Sequence, residues 1–158
     1  VTIMLLDEEM DHGPIIAQAH IEFEKSDWPP TGTVLRNLLT DVGADLLIET
    51  LPSWLNDEIT AEEQDHDEAT FSHKIIKEDG EIDLEDDPYQ NFLKIQAFDE
   101  WPGTYFFTNL PAGKAGKNGR DVRVKIVAAE FKKGGLVIKR VIPEGKKEMD
   151  YEDFKRSL

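Results

Sequence analysis

The first six positions, Val1 to Leu6, are almost continuously apolar, the pattern of a strand covered on both faces. Asp7-Glu-Glu-Met-Asp-His-Gly-Pro14 follows as a polar stretch with a Gly-Pro break and predicts a loop. From Ile15 to Phe23 the character alternates. Ile15, Ala17, Ala19, Ile21 and Phe23 share one face, and Gln18, His20 and Glu22 share the other with Ile16. That predicts a half-buried strand paired with the first across the acidic loop. After Pro29-Pro30, Val34, Leu38, Val42 and Leu46 recur every four residues beside Leu35, Leu39, Leu47 and Leu51. The spacing predicts an amphipathic helix to about Leu55, capped by Thr31 or Thr33. Gly43 inside it costs about 1 kcal/mol against Ala, a sign of close packing.

Residues 56–87 break the pattern, with 14 acids against Lys74 and Lys77 and few large apolar side chains. They read as an extended linker hugging the surface. Asp87-Pro88 predicts a helix start, Asp as cap and Pro at the first position. Tyr89, Phe92, Leu93 and Ile95 to Ala97 supply its apolar face, and Trp101-Pro-Gly103 ends it. Thr104 to Thr108 predicts a short aromatic strand, and residues 109–121 a loop rich in Gly, Lys and Arg. Val122, Val124, Ile126 and Ala128 alternate with Arg123, Lys125 and Val127, a strand to about Phe131. Lys132-Lys-Gly-Gly135 predicts a hairpin turn into a return strand over 136–142. Asp150 and Asp153 resemble a capping box for a short last helix with Phe154 turned inward. Several short strands with glycine turns in about 60 residues suggest a small barrel of the oligonucleotide-binding type.

Charge sharpens the division. The net −15 conceals 24 acids and 4 bases in residues 1–87, a net of −20, and 9 acids and 14 bases in 88–158, a net of +5. Two regions with different partners are expected, the second a candidate for nucleic acid. With no cysteine among 158 residues, disulfide frameworks and thiolate metal sites are excluded, and a reducing cytosol fits. No apolar run approaches the roughly 18 residues of a membrane span. A chain that opens in mid-strand on Val1 is expected to have lost its amino end.

Four stretches carry a family resemblance. Residues 1–16, Val-Thr-Ile-Met-Leu-Leu-Asp-Glu-Glu-Met-Asp-His-Gly-Pro-Ile-Ile, resemble the second catalytic signature of the folate-dependent formyltransferases. Lys74-Ile-Ile-Lys-Glu-Asp-Gly-Glu-Ile-Asp83 is similar to the segment joining the two domains of the methionyl-tRNA formyltransferase family. Ile95-Gln-Ala-Phe-Asp-Glu-Trp-Pro-Gly-Thr-Tyr-Phe106 resembles the start of that family's carboxy-terminal domain, and Pro143-Glu-Gly-Lys-Lys-Glu-Met149 with Asp153-Phe154 its ending. The first signature is shared with glycinamide ribonucleotide and sugar-amine formyltransferases; the last two favour the tRNA family.

The resemblance implies an α/β remnant of a Rossmann-like formyltransferase domain over 1–55, an acidic linker over 56–87, and a small OB-like β-barrel over 88–158 that grips tRNA. It implies formyl transfer from 10-formyltetrahydrofolate to the amino group of methionyl initiator tRNA, without a metal. The parent enzyme would be cytoplasmic, monomeric and independent of membranes. Of the family's Asn, His and Asp, the Asp of its Asp-x-Gly-Pro pattern falls on Asp11. The Asn, the His and a Ser-Leu-Leu-Pro folate loop belong upstream of Val1, so this chain alone is expected to be inactive. A non-catalytic RNA-binding module, a sugar-amine formyltransferase fragment and an inert fragment are the alternatives.

Formyl transfer needs an amine that loses its proton, a stabilised oxyanion and an acid for the folate nitrogen. A carboxylate beside an imidazole can orient it or relay a proton; Asp11 suits that role, or is simply a turn-forming Asp beside Gly13. Asp7, Glu8 and Glu9 suggest a cation site or a solvated loop. By resemblance, the backbone of Asp7, Glu8, Glu9, Met10 and Asp11 lines the pterin pocket instead. His12 reads as a variable loop residue, and His66 and His73 flank acids without ligand spacing. Lys74 and Lys77 are phosphate contacts or salt-bridge partners. Lys114, Lys117 and Arg120 share a Gly-rich loop, and Arg123 and Lys125 share a strand face. Lys132, Lys133, Lys139, Arg140, Lys146 and Lys147 add turns and edges. These basic groups bind tRNA phosphates or serve solubility and edge protection. Trp101, Tyr105 and Phe106 stack bases or pack in the core.

Overall fold

The computed structural model describes residues 1–110 and 120–158. The chain divides into two compact units, Val1–Trp28 with Val34–His73, and Pro29–Thr33 with Lys74–Leu158. Among the described residues no helix is long and apolar enough to cross a membrane.

In the first unit, β1 (Thr2–Met4) and β2 (Ile15–Gln18) pair antiparallel, Thr2 opposite Gln18 and Ile3 opposite Ala17. β2 ends at Gln18, short of the alternating run to Phe23. The last ladder bond joins the Ala19 amide to the Val1 carbonyl at 2.9 Å. The long helix α1 spans Gly32–Leu55. Leu35, Leu38, Val42 and Leu46 are half-buried and Thr50 is buried, whereas Val34, Leu39, Leu47 and Leu51 of the same stripe are exposed. A methyl group at Gly43 would come 3.2 Å from Val1 Cγ1, the close packing its presence suggests. At the start of α1, Asp99 Oδ1 accepts the Thr33 amide at 3.1 Å. Burial would raise the Asp99 carboxyl. Hydrogen bonds from the Thr33 and Thr31 side chains and the Thr33 amide outweigh it and hold the group below its ordinary value.

The second unit is built on an antiparallel sheet in the order β3 (Tyr105–Leu110), β4 (Arg120–Lys132), β5 (Gly135–Pro143), β6 (Met149–Asp150). The sheet is open: among the described residues β6 does not pair back onto β3. Lys133 (φ 53°) and Gly134 (φ 77°) form the two-residue turn between Lys132 and Gly135, the positive-φ pair whose twist matches the hairpin. Along β4, Val122, Val124 and Ile126 are buried while Asp121, Arg123, Lys125 and Val127 are exposed, as the alternation predicts. Register shifts around Ala128 end the strict alternation. The core joins Ile82, Ile95, Phe106, Val122, Val124, Ile126, Ile138, Val141 and Phe154.

Helix α2 (Pro88–Ala97) starts as predicted, Asp87 Oδ1 accepting from the Tyr89 and Gln90 amides at 2.8 Å each. Its buried positions are Asn91 and Ile95. Asn91 Nδ2 donates to the Asp83 carbonyl at 2.6 Å. The rings of Tyr89 and Phe92 lie against Phe131 instead. The acidic stretch reaches this core, because Ile82 is only 5% exposed and its amide donates to the Tyr105 carbonyl at 2.9 Å. Helix α3 (Tyr151–Ser157) buries Phe154 as expected, but the capping box does not form. Asp150 instead accepts from Arg140 Nη1 at 3.1 Å and Asp153 from Arg156 Nη2 at 2.6 Å.

Candidate functional site

The loop between β1 and β2 carries Asp11, and local bonds give it a defined shape. Asp7 Oδ1 accepts the Glu9 amide at 2.9 Å, and Asp7 Oδ2 lies 2.6 Å from His12 Nδ1. The loop mouth is closed by the Leu5 amide on the Pro14 carbonyl, 2.9 Å. Asp11 sits at φ 56°, a left-handed conformation that Asp tolerates at modest cost. Gly13 has no alternative, since a Cβ there would lie 2.1 Å from the Leu5 carbonyl oxygen.

The His12 hydrogen bond, reinforced by the Glu9 amide, holds the Asp7 carboxyl below its ordinary value. Reciprocally, Asp7 raises the His12 imidazole. Asp7 is thus committed within the loop. Glu8, Glu9, Met10 and Asp11 are exposed. His12 has a larger part than a variable loop position would suggest. Its ring stacks on His66, centroids 3.7 Å apart and 7° from parallel. Gln64 approaches the same loop, Nε2 donating to the Asp11 carbonyl at 2.9 Å and the Gly13 carbonyl at 2.7 Å. Neither Gln64 nor the His66 stack was legible from spacing, because 53 residues separate Gln64 from Asp11.

The second unit carries the basic groups. Arg123 Cζ lies 3.8 Å from the centre of the Tyr105 ring. Across the β3–β4 ladder, Phe107 faces Arg123 and Tyr105 faces Lys125, so the four share one face of the sheet. Tyr105 is 6% exposed beneath Arg123, Phe106 is in the core, and Trp101 and Phe107 are half-exposed. Phe107 is therefore a surface aromatic that the sequence pattern did not single out. Burial raises the Tyr105 hydroxyl, with Glu81 adding to the rise and Arg123 opposing it.

The remaining cations divide. Lys132 and Lys139 both pair with Glu130, at 2.6 and 3.3 Å, holding that carboxyl below its ordinary value. Arg140 pairs with Glu148 and Asp150. Lys74, Lys77, Lys125, Lys133, Lys146 and Lys147 are exposed and make no ion pair among the described residues. Arg120 opens β4. Lys114 and Lys117 lie outside the described residues.

Comparison with known proteins gives these features a family. Residues 74–158 match the family described as formyl transferase, C-terminal domain. A methionyl-tRNA formyltransferase from Chloroflexus aurantiacus is 44% identical over 109 residues, 68% of this chain and 34% of that protein. Another, from Roseiflexus castenholzii, is 31% identical across 100% of this chain and 54% of its own length. The chain thus spans between about a third and about half of these relatives. The solved methionyl-tRNA formyltransferase from Clostridium thermocellum matches 94% of this chain and 55% of its own, with a TM-score of 0.58 at 16% identity, a likeness of fold. The chain belongs to the methionyl-tRNA formyltransferase family, and residues 74–158 are its formyl transferase C-terminal domain.

Proposed function

We propose that this chain supplies the carboxy-terminal portion of an enzyme that transfers a formyl group from 10-formyltetrahydrofolate to the amino group of methionyl initiator tRNA. Residues 1–55 are the end of a Rossmann-like catalytic domain, 56–87 the acidic connection, and 88–158 an OB-like tRNA-binding domain. The observation that carries this reading is the constrained loop holding Asp11, inside the Asp-x-Gly-Pro pattern of residues 11–14.

In this reading the Asp11 carboxylate accepts a hydrogen bond from a catalytic imidazole and stabilises its charged form while the amine loses its proton. The backbone from Asp7 to Asp11 lines the pterin pocket. The folate supplies the formyl carbon, and no residue of this chain bonds to it covalently. Lys74, Lys77, Lys114, Lys117, Arg120, Arg123, Lys132, Lys133, Arg140, Lys146 and Lys147 are the candidate contacts to the tRNA backbone. Arg123, Lys133, Lys146 and Lys147 are favoured among them, because Lys132 and Arg140 already hold acids. In the full-length enzyme containing this chain, Asp11→Asn is expected to lower kcat for formyl transfer by about 10²–10⁴-fold. An unchanged rate removes Asp11 from the chemistry.

A non-catalytic RNA-binding role is the second reading, favoured by the exposed Phe107, Arg123 and Lys125 on one sheet face. It predicts tRNA affinity in this chain without any formyl transfer from the full-length protein.

A further inference from the structure

Gln64 lies in the acidic stretch that the sequence pattern reads as a connection, yet its side chain ends in the Asp11 loop. Its amide nitrogen has two hydrogens, and each has an acceptor, the Asp11 carbonyl at 2.9 Å and the Gly13 carbonyl at 2.7 Å. The backbone that delivers Gln64 is itself fixed. Glu62 pairs with Ile15 in both directions, 2.7 and 2.8 Å, directly after the loop closes. Two residues beyond Gln64, in the turn His66–Glu68, His66 stacks on His12. That turn is set by Asp65, whose Oδ1 accepts the Asp67 amide at 3.1 Å. Three successive loop residues are thus each held from one short segment: Asp11 by its carbonyl, His12 by its ring, Gly13 by its carbonyl.

The hold has work to do at Asp11. A non-glycine residue at φ 56° is uphill of its right-handed alternatives and persists where surroundings over-determine it. Within the loop, Asp7 bonds the Glu9 amide and the His12 ring, both through side-chain oxygens and neither at the backbone of residues 11–13. Gln64 is the side chain that bonds the backbone at Asp11 and Gly13.

We propose that Gln64 is a positioning residue for Asp11, its side-chain amide clamping residues 11–13 with the His12–His66 stack as a brace. The inference rests on the proposed catalytic role of Asp11 for its functional meaning, though the clamp is a property of the loop. It assigns the 62–66 segment to the catalytic machinery, so insertion or deletion there would act on kcat. Displacing a reacting group by about 1 Å costs on the order of 10²-fold in rate, which sets the expected effect.

The test uses Gln64→Met, which keeps the side-chain length and removes both donors. In the isotopically labelled 158-residue chain, the Asp11 amide-to-Hα coupling and Cα shift report the sign of φ. We expect Gln64→Met to abolish the left-handed signature at Asp11 and to shift His12 and Gly13, with resonances of α1 and the β3–β6 sheet unchanged. Retention of the wild-type coupling and shifts at residues 11–13 would overturn the clamp. Should Gln64→Met disturb α1 as well, Gln64→Glu serves: its carboxylate keeps the size and turns acceptors toward the two carbonyls. Loss of the signature with α1 intact supports the clamp, and its survival sinks it. In the full-length enzyme, Gln64→Met is expected to lower kcat about 10²-fold with KM for tRNA unchanged, and an equal change in both parameters would remove the positioning role. If Asp11→Asn leaves catalysis intact while Gln64→Met still reshapes the loop, the catalytic reading fails and the clamp stands.

Discussion

The imidazole rings of His12 and His66 lie face to face, 3.7 Å between centroids, with Asp7 2.6 Å from the outer nitrogen Nδ1 of His12. A carboxylate this close favours the charged form of the ring it touches. Asp7 raises the His12 pKa. A group raised on folding adds stability that is full below its unfolded value, near 6.5, and fades as pH rises through the folded value. We therefore expect His12 to titrate above 6.5 in an NMR pH series. Asp7→Asn should bring it down and flatten the alkaline loss of stability in that window. A His12 midpoint unmoved by Asp7→Asn would dismiss the pairing.

Asp87 holds two amides at the start of α2. Asp87→Ala leaves both without a partner in the first turn and is expected to cost about 1 kcal/mol, within the 0.5–2 range typical of helix caps. Asp87→Ser, which can still accept a bond, should recover most of it. Urea denaturation followed by circular dichroism would measure both. Equal losses in the two variants would mean that the carboxylate's charge, and not its hydrogen bonds, matters there.

Phe154 is 1% exposed and touches the core from α3. Phe154→Ala is expected to destabilise the second unit by about 3–5 kcal/mol, the transfer loss plus the cavity left behind. Calorimetry that shows less than about 1 kcal/mol would imply collapse of α3 into the space.

On the proposed tRNA-binding reading, binding of initiator tRNA to this chain should weaken with salt as counterions are displaced. Arg123→Ala and Lys125→Ala are each expected to reduce the log–log salt slope by about 1 unit. Arg140→Ala should leave the slope nearly unchanged, because its charge is already opposed by Glu148 and Asp150. Equal effects at Arg123 and Arg140 would argue against a localised footprint on the β3–β4 face.

The parts legible in the sequence share one property: their causes are local. The α2 cap, the β4 alternation, the Lys133-Gly134 turn and the inward Phe154 each follow from residues a few positions apart. What was not legible comes from contacts between distant segments. Asp99 caps α1 across 66 residues, and Ile82 joins the core from a stretch whose charge masks a single apolar position. Asp150 prefers Arg140 on the neighbouring strand to the α3 amides, since β6 pairs Asp150 with Arg140 directly. The site divides in the same way. The Asp11 loop was visible as a motif, while Gln64 and His66 became part of it only through the fold.

The hairpin between β4 and β5 has a kinetic meaning. Its turn is closed by two residues, Lys133 and Gly134, both already in the left-handed conformation, so the entropy of loop closure is near its minimum. From that turn the ladder zips outward from Lys132 and Gly135 to Val124 and Pro143. Isolated hairpins form in about 1–10 μs, ahead of any pairing that must bring distant segments together. The second unit therefore has a defined place to begin folding. Gly134→Val, which opposes the left-handed turn, should slow refolding more than it speeds unfolding.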